Sequence, residues 1–430
     1  MPTTHTGYSA RQAYVLVLLT LVYAFNIADR FVVSTILEPI RLDLGLTDAS
    51  IALVTGVALA LFYVSIGLPV AQYADRANRR NIVAGSVVLW SLMTAACGQV
   101  QNTVQFVLAR FGVGIGEAGG TPPSTSLLAD LFPPQRRPAV LTFFALGAPL
   151  GAWIGSSLAG AIAEHHGWRG TFTALGLPGV LLGLIVYFTV REPERGAADG
   201  TAATPDEPLA LGMRATLRHL RANRAAFHLI GGGAVATLWG WGLLWWTPTH
   251  LVRSFHLSVT EAGEMLGPMH LFGGVAATLA TYLAVGPLAR QDPRRVSWLM
   301  AAIVGLATVP SILLFMTSDL ATARWMLWLV VPAIYFFIGP TMGLLQNVVP
   351  PTIRSQTIAV LMFVANVFNL IIAPQLVGLA SDALAPVFSS QAESLRIALL
   401  CLAPTGFWGA WHYYASARTL REAQHRASGT

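Results

Sequence analysis

The chain contains no lysine, so all 26 of its basic residues are arginine. Charge of either sign is scarce: Asp, Glu and Arg supply 11% of 430 residues and hydrophobic residues 54%, against about 25% charged in an ordinary water-soluble domain. That balance excludes a globular protein with a water-facing shell and requires an apolar solvent around much of the surface. Cysteine is nearly absent. Cys97 and Cys401 each sit inside an apolar run, which excludes a disulfide or thiolate-metal framework. There is no His/Glu pair at metal-ligand spacing and no serine elbow, so the chain reads as no enzyme, with no cofactor and no metal site. The net charge of +6 is spread over short loops between apolar runs, where it sets membrane topology rather than binding nucleic acid.

What is present is a succession of apolar runs of the length needed to cross about 30 Å of hydrocarbon. Spans one to six cover approximately residues 13–37, 50–73, 81–99, 104–129, 137–163 and 169–190. Spans seven to twelve cover 225–251, 260–288, 295–317, 324–348, 354–383 and 395–417. The first run is too long for a signal-peptide core and has no small-residue cleavage site near its end, so it is expected to be retained as a membrane helix. With the N-terminus placed inside, nineteen loop arginines fall on the cytoplasmic side and five, Arg41, Arg169, Arg253, Arg324 and Arg396, on the other. Both termini are therefore expected in the cytoplasm of a bacterial inner membrane.

Residues 191–224 divide the chain. Glu192 to Pro208 has the composition of a mobile linker. Leu209, Met213, Leu217 and Leu220 then recur at helical spacing beside Arg214, Arg218 and Arg221, which predicts a basic amphipathic helix on the inner surface. The flanking halves, 1–190 and 225–430, resemble each other. Ala71–Arg80 aligns with Gly286–Arg295, Pro133/Pro134/Arg137 with Pro350/Pro351/Arg354, and Gly160/Glu164 with Gly378/Asp382, in order and at nearly constant offset. A duplicated six-helix unit is the organisation in which a substrate site forms between two repeats near the bilayer midplane. It implies a secondary transporter working by alternating access; a passive channel or a receptor requires no such duplication.

Intramembrane charges cost about 2.5–3.5 kcal/mol each and persist only when paired or hydrated. Asp29, Arg30, Arg110 and Glu117 qualify, and the rise per residue puts all four at a shared depth where spans one and four can pair carboxylate with guanidinium. Such a quartet either fixes helix register as a neutral network or carries function. Functionally, Asp29 and Glu117 are the expected proton-coupling groups. Arg30 and Arg110 are their partners, or those of an anionic substrate. Asn26 lies one turn before them. Asn366 and Asn369 share a face of span eleven, to meet a headgroup or to glue helices together. His270, alone among apolar neighbours in span eight, reads as a packing residue.

The run ADRANRR between spans two and three resembles the loop signature of the major facilitator superfamily. It departs from that signature at Ala71 and Asn78, where glycines are usual, and the second copy has Arg290 in place of the acidic residue. Arg110, Gly114 and Gly116 resemble the superfamily's fourth-helix motif, and Gly147, Pro149, Gly151 and Gly155 its fifth. The combination of Asn26, Asp29, Arg30 and Phe31 with Arg110, Gly112, Gly114, Gly116, Glu117 and Ala118 looks like the Spinster-like transporters. The resemblance implies an all-α membrane fold of twelve helices in two pseudo-symmetric six-helix bundles. It implies gating by Asp75, Arg76, Arg79 and Arg80, and a central cavity lined by spans one, four, seven and ten, with Trp239 and Tyr335 as candidate lining residues. It also implies movement of a lysophospholipid or sphingolipid-like anionic amphiphile; the acidity of Asp29 and Glu117 adds the expectation of proton coupling, and a monomer is expected. Small organic anions or drugs remain the alternative cargo, since organic-anion symporters carry a similar Asp-Arg pair.

Overall fold

Ser9 starts the first helix by accepting a hydrogen bond from the amide of Gln12, whose side chain accepts from the Ser9 amide in return; this capping box satisfies two donors that a helix start leaves unpaired. Ser258 and Glu261 form the same device at the start of span eight. The computed structural model describes residues 9–57, 70, 73, 77–133, 136–194, 213–350, 353–388 and 390–428. Among these residues there is no strand, and eight helices are long and apolar enough to cross a membrane. Span one is Ala10–Thr35, span three Arg79–Cys97, span seven Arg224–Phe255 and span nine Pro293–Met316. Span two is described over Asp48–Val57.

The remaining spans are interrupted where the sequence carries breakers. Span four is Thr103–Glu117 followed by Thr121–Leu131, divided where Gly119 and Gly120 precede Pro122 and Pro123, residues suited to a first helical turn. Spans five and six run through to Thr189 and bend at Gly167, whose φ of +68° is open to glycine and costly for other residues. Span ten divides into Leu320–Ala333 and Ile338–Asn347, span twelve into Gln391–Leu402 and Thr405–Ser428.

Spans two, five, eight and eleven each contain a π-helical segment: Leu53–Val57, Ile154–Leu158, Met269–Gly274 and Val367–Ile372. The four segments recur at nearly the offset of the sequence repeats, so the duplication extends to a local distortion that composition does not announce. These helices also form the seam between the halves, and glycine sets how closely they approach. A Cβ at Gly263 would lie 2.3 Å from the Ser156 carbonyl oxygen, one at Gly56 2.4 Å from that of Leu370, and one at Gly378 2.6 Å from that of Asp48. Hydrogen bonds stitch the same seam, Thr260 Oγ1 to the Gly160 carbonyl at 2.9 Å and Gln375 Nε2 to the Ala49 carbonyl at 3.2 Å, and Ser34 Oγ joins span one to span seven at the Trp245 carbonyl at 2.7 Å.

The helix before span seven is Met213–Ala222; Leu209 lies outside the described residues. Its buried side includes one member of the predicted apolar stripe, Leu220. Thr216 and Leu220 are buried, with Thr216 bonded to Gln356, while Met213 and Leu217 are exposed. The described stripe is thus divided: Leu220 packs inward beside the Thr216–Gln356 bond, while Met213 and Leu217 stay on the exposed face. Asn223 Nδ2 donates to the Val348 carbonyl at 2.8 Å and anchors the helix end.

The glycine seam makes a specific demand. Gly263→Val should hold the halves apart by about one side-chain radius and shift the equilibrium away from the closed seam by at least about tenfold, roughly 1.4 kcal/mol. Spin-label distances between residues flanking spans five and eight should lengthen; an unchanged distance distribution in folded protein would refute the tight seam.

Candidate functional site

Span one places Asp29 and Arg30 side by side, and span four places Arg110 and Glu117 two turns apart on one face. They pair crosswise. Arg110 Nη1 donates to Asp29 Oδ2 at 2.8 Å, and Arg30 donates to Glu117 Oε2 through Nη2 at 2.8 Å and Nε at 3.2 Å. Side chains on a helix lean toward its N-terminus, which carries the long Arg30 side chain back along span one to the deeper carboxylate. Thr94 of span three donates its hydroxyl to Asp29 Oδ1. The four groups sum to zero charge; Asp29, Arg110 and Glu117 are buried and Arg30 is partly exposed to the space between the halves. Hydrogen bonding is nevertheless incomplete: among the described residues Glu117 Oε1 and Arg110 Nε and Nη2 have no partner, and buried polar groups rarely stay unpaired without a reason.

Arg30 is the member of the quartet that reaches the space between the halves. A cavity of about 150 Å³ is lined by Arg30, Tyr23, Phe31, Trp241, Trp245 and, from span eleven, Asn366 and Asn369, among mostly apolar side chains. The structure thus brings Asn366 and Asn369 opposite Arg30. Other sequence candidates lie elsewhere. Trp239 is fully buried inside the second half, its Nε1 donating to Ser311 Oγ at 3.0 Å. Two residues along a helix is a turn of about 200°, so Trp241 takes the place expected for Trp239. Tyr335 stands behind Trp241, ring centres 6.0 Å apart, and its hydroxyl meets His270 Nδ1 at 2.9 Å. His270 packs against Phe31 at 4.7 Å, so this packing residue also has a polar partner. Asn26 is buried beside a different small cleft with Trp90 and Gly120.

Of the four predicted gating residues, Asp75 and Arg76 lie outside the described residues. Arg79 donates to Glu192 Oε1 at 2.7 Å, to Ser126 Oγ at 2.9 Å, and to Asp130. Arg80 holds Glu192 Oε2 with its backbone amide at 2.8 Å and places its guanidinium over Tyr187. These contacts tie spans three, four and six together within the first half. In the second copy of the loop an acidic group, Asp292, stands two residues after Arg290. It caps span nine and binds Arg294 and Arg421 at 3.0 and 2.9 Å, and hydrogen bonds from Arg294 hold its carboxyl down at about 2.

Sequence reasoning missed the cluster that joins the halves at the other end. The short helix Leu37–Asp43 carries Glu38 and Arg41, and Arg253 projects from the last turn of span seven. Arg253 Nη1 donates to Asp48 Oδ2 at 2.8 Å and Nη2 to Asp48 Oδ1 at 2.7 Å; the same guanidinium holds Glu38 Oε2, with Nε at 3.0 Å. In the opposite sense Asp382 of span eleven accepts from the amides of Asp48 and Ala49 at 3.0 and 2.9 Å, a carboxylate set on a helix N-terminus where the dipole favours it. Each half thus presents acid to the other. One signal was available: Gly378/Asp382 was already matched to Gly160/Glu164, with no indication of what Asp382 faces.

Burial raises the carboxyl pKa values of Glu38 and Asp48, but hydrogen bonds and charge from Arg253, with Arg41, outweigh it and leave both lowered. The latch is therefore fully formed above the ordinary carboxylate range and is lost only as pH falls below it; it does not sense pH near neutrality. Arg253→Ala leaves two buried carboxylates short of a counter-charge, a change that costs up to about 3–5 kcal/mol in buried pairs, lessened here by Arg41. A reporter cysteine near Asp48 should become far more reactive in the variant at pH 7, and part of the protection should return as pH is lowered; equal reactivity with wild type would exclude the latch.

Comparison with known proteins places this geometry. The family described as Major Facilitator Superfamily matches residues 19–374. An MFS-type efflux pump of Mycolicibacterium smegmatis is 31% identical over 96% of this chain and 95% of that protein. Human protein spinster homolog 1 is 29% identical over 98% of this chain and 84% of that protein. A crystal structure of a bacterial homolog of the human lysosomal transporter Spinster, inward-facing and unoccupied, superposes with a TM-score of 0.84 at 28% identity, over 97% of this chain and 99% of that one.

Proposed function

This chain belongs to the major facilitator superfamily as a Spinster-like multi-pass membrane transporter of twelve helices, not an enzyme, and from that premise we propose that it moves an anionic amphiphile across the bacterial inner membrane, coupled to protons. The observation that carries the reading is Arg30, shared between the Glu117 carboxylate and a cavity with mostly aromatic and aliphatic walls. A proton on Glu117 releases the guanidinium from its carboxylate, and a planar guanidinium binds a phosphate or carboxylate headgroup through two hydrogen bonds. Asn366 and Asn369 face the same headgroup from span eleven, while Trp241, Trp245 and Phe31 receive the start of an apolar tail. Asp29, held by Arg110, is the second proton-binding group. Lysophospholipids and sphingolipid-like phosphates have this shape and charge.

The moving bodies are residues 1–190 and 225–430, joined by the 191–224 segment. Both termini are cytoplasmic and the protein works as a monomer. The Glu38–Arg253–Asp48 latch then lies on the periplasmic side, and its closure, with Arg79 occupied inside one half, agrees with an inward-facing arrangement like that of the Spinster homolog. Alternating access proceeds by parting the glycine seam at the latch and closing the cytoplasmic ends, where Asp75, Arg76, Arg79 and Arg80 serve as the gate.

Binding and protonation are linked reciprocally. Affinity for a lysophosphatidic acid probe should rise as pH falls, by up to about tenfold per unit. Glu117→Gln, which carries no negative charge at any pH, should bind tightly and lose most of that dependence. In liposomes, a pH gradient should stimulate labelled lysophospholipid uptake by wild type and fail to do so for Asp29→Asn. If folded wild type moves no lysolipid, small organic anions or drugs become the cargo, the reading favoured by the efflux-pump relative.

A further inference from the structure

Asp29 and Arg30 are neighbours in sequence but face different spaces. Arg30 lines the cavity between the halves. Asp29 lines a separate cavity of about 20 Å³ inside the first half, between spans one, three, five and six, with Ser91 and Thr94 as its other polar side chains. A space of that size accommodates about one water, and a buried water needs two to four polar partners; Asp29, Ser91 and Thr94 supply them. All three are buried, and Thr94 already bonds Asp29. Span six shapes the chamber through glycine: a Cβ at Gly179 would sit 2.2 Å from Ser91 Oγ and one at Gly176 2.7 Å from the Ser91 carbonyl oxygen.

We propose that this chamber is a water site through which Asp29 exchanges its proton, so that proton and substrate use opposite faces of span one, and that Thr94, with Ser91, is a positioning residue for that exchange. The inference rests on the proton-coupled reading above. In the step itself a hydronium in the chamber gives its proton to Asp29 Oδ1, leaving water and a neutral carboxylic acid. A threonine hydroxyl suits both states: it donates to the carboxylate, then rotates to accept from the acid. The charged and titratable groups around Asp29 are Arg110 and Glu117 from span four, Arg30 beside it and Cys97 on span three. Spans five and six contribute only Ile154, Leu175 and Gly176 to the chamber wall. Thr94 and Ser91 are therefore the uncharged hydroxyl groups that line the chamber beside the carboxylate, and neither lines the substrate cavity.

The test uses full-length protein in liposomes with a labelled lysophospholipid, and the same probe for equilibrium binding in detergent. Thr94→Val keeps shape and removes the hydroxyl. It should slow gradient-driven uptake about tenfold and displace the midpoint of its pH profile, with probe affinity within about twofold of wild type and Thr94→Ser restoring most of the rate. Ser91→Ala, which leaves helix packing intact, should lower the rate less and shift the profile in the same direction. Wild-type rate and pH profile in both Thr94→Val and Ser91→Ala would overturn the proposal, as would a loss of probe binding parallel to the loss of transport. If Asp29→Asn keeps gradient-stimulated uptake, the failure belongs to the proton-coupled reading itself, whatever Thr94 does.

Discussion

A lone charge in hydrocarbon is opposed by about 2.5–3.5 kcal/mol, and four of them at one depth are tolerable only because each is a partner to another. The crosswise pairing of Asp29 with Arg110 and of Arg30 with Glu117 meets that constraint with zero net charge. It also makes the arrangement sensitive: any proton taken up by a carboxylate leaves a guanidinium short of an anion, and the nearest way to satisfy it is to bring one in. The unmet hydrogen-bonding capacity of Glu117 and Arg110 belongs with this sensitivity. A network built only to fix helix register has no reason to leave it.

Where the charges sit decides what they can do. The quartet lies wholly within the first half, on spans one and four, so relative motion of the halves does not break it. The Glu38–Arg253–Asp48 cluster is divided between the halves and exists only while that end is closed. Of the two, only the quartet borders the central cavity, and it does so through Arg30 facing the amides of span eleven. The latch carboxylates are held in the charged form by strong Arg pairing, so the latch stores closure energy without responding to pH near neutrality.

Duplication accounts for much of the mechanics. The four π-helical segments occupy equivalent positions in spans two, five, eight and eleven, and the glycines of these helices set the closeness of the seam. Equivalence does not extend to charge. Asp382 caps the start of span two across the seam, whereas Glu164, its counterpart, is solvent-exposed. In the second copy Asp292, two residues beyond Arg290, pairs with Arg294 and Arg421. Two copies of one unit have thus acquired different polar contacts on a shared frame.

Length, composition and the placement of rare charges made the membrane class, the spans, the duplication and the shared depth of Asp29, Arg30, Arg110 and Glu117 legible from sequence, because rise per residue is fixed and the cost of a buried charge is local. Which face a residue presents was not legible. Trp239 and Trp241 differ by two positions and point into different spaces; of the stripe on the Met213–Ala222 helix, Leu220 is buried while Met213 and Leu217 are exposed; Asn26 faces a cleft of its own. The latch was hidden for a related reason: Arg253, Asp48 and Asp382 lie hundreds of residues apart in loops and helix ends, where no period marks them. Sequence by itself determined which groups lie in the membrane and how deep. Only the tertiary structure decided which of them meet, because partner choice depends on the rotation of each helix and on packing between halves that local spacing does not encode.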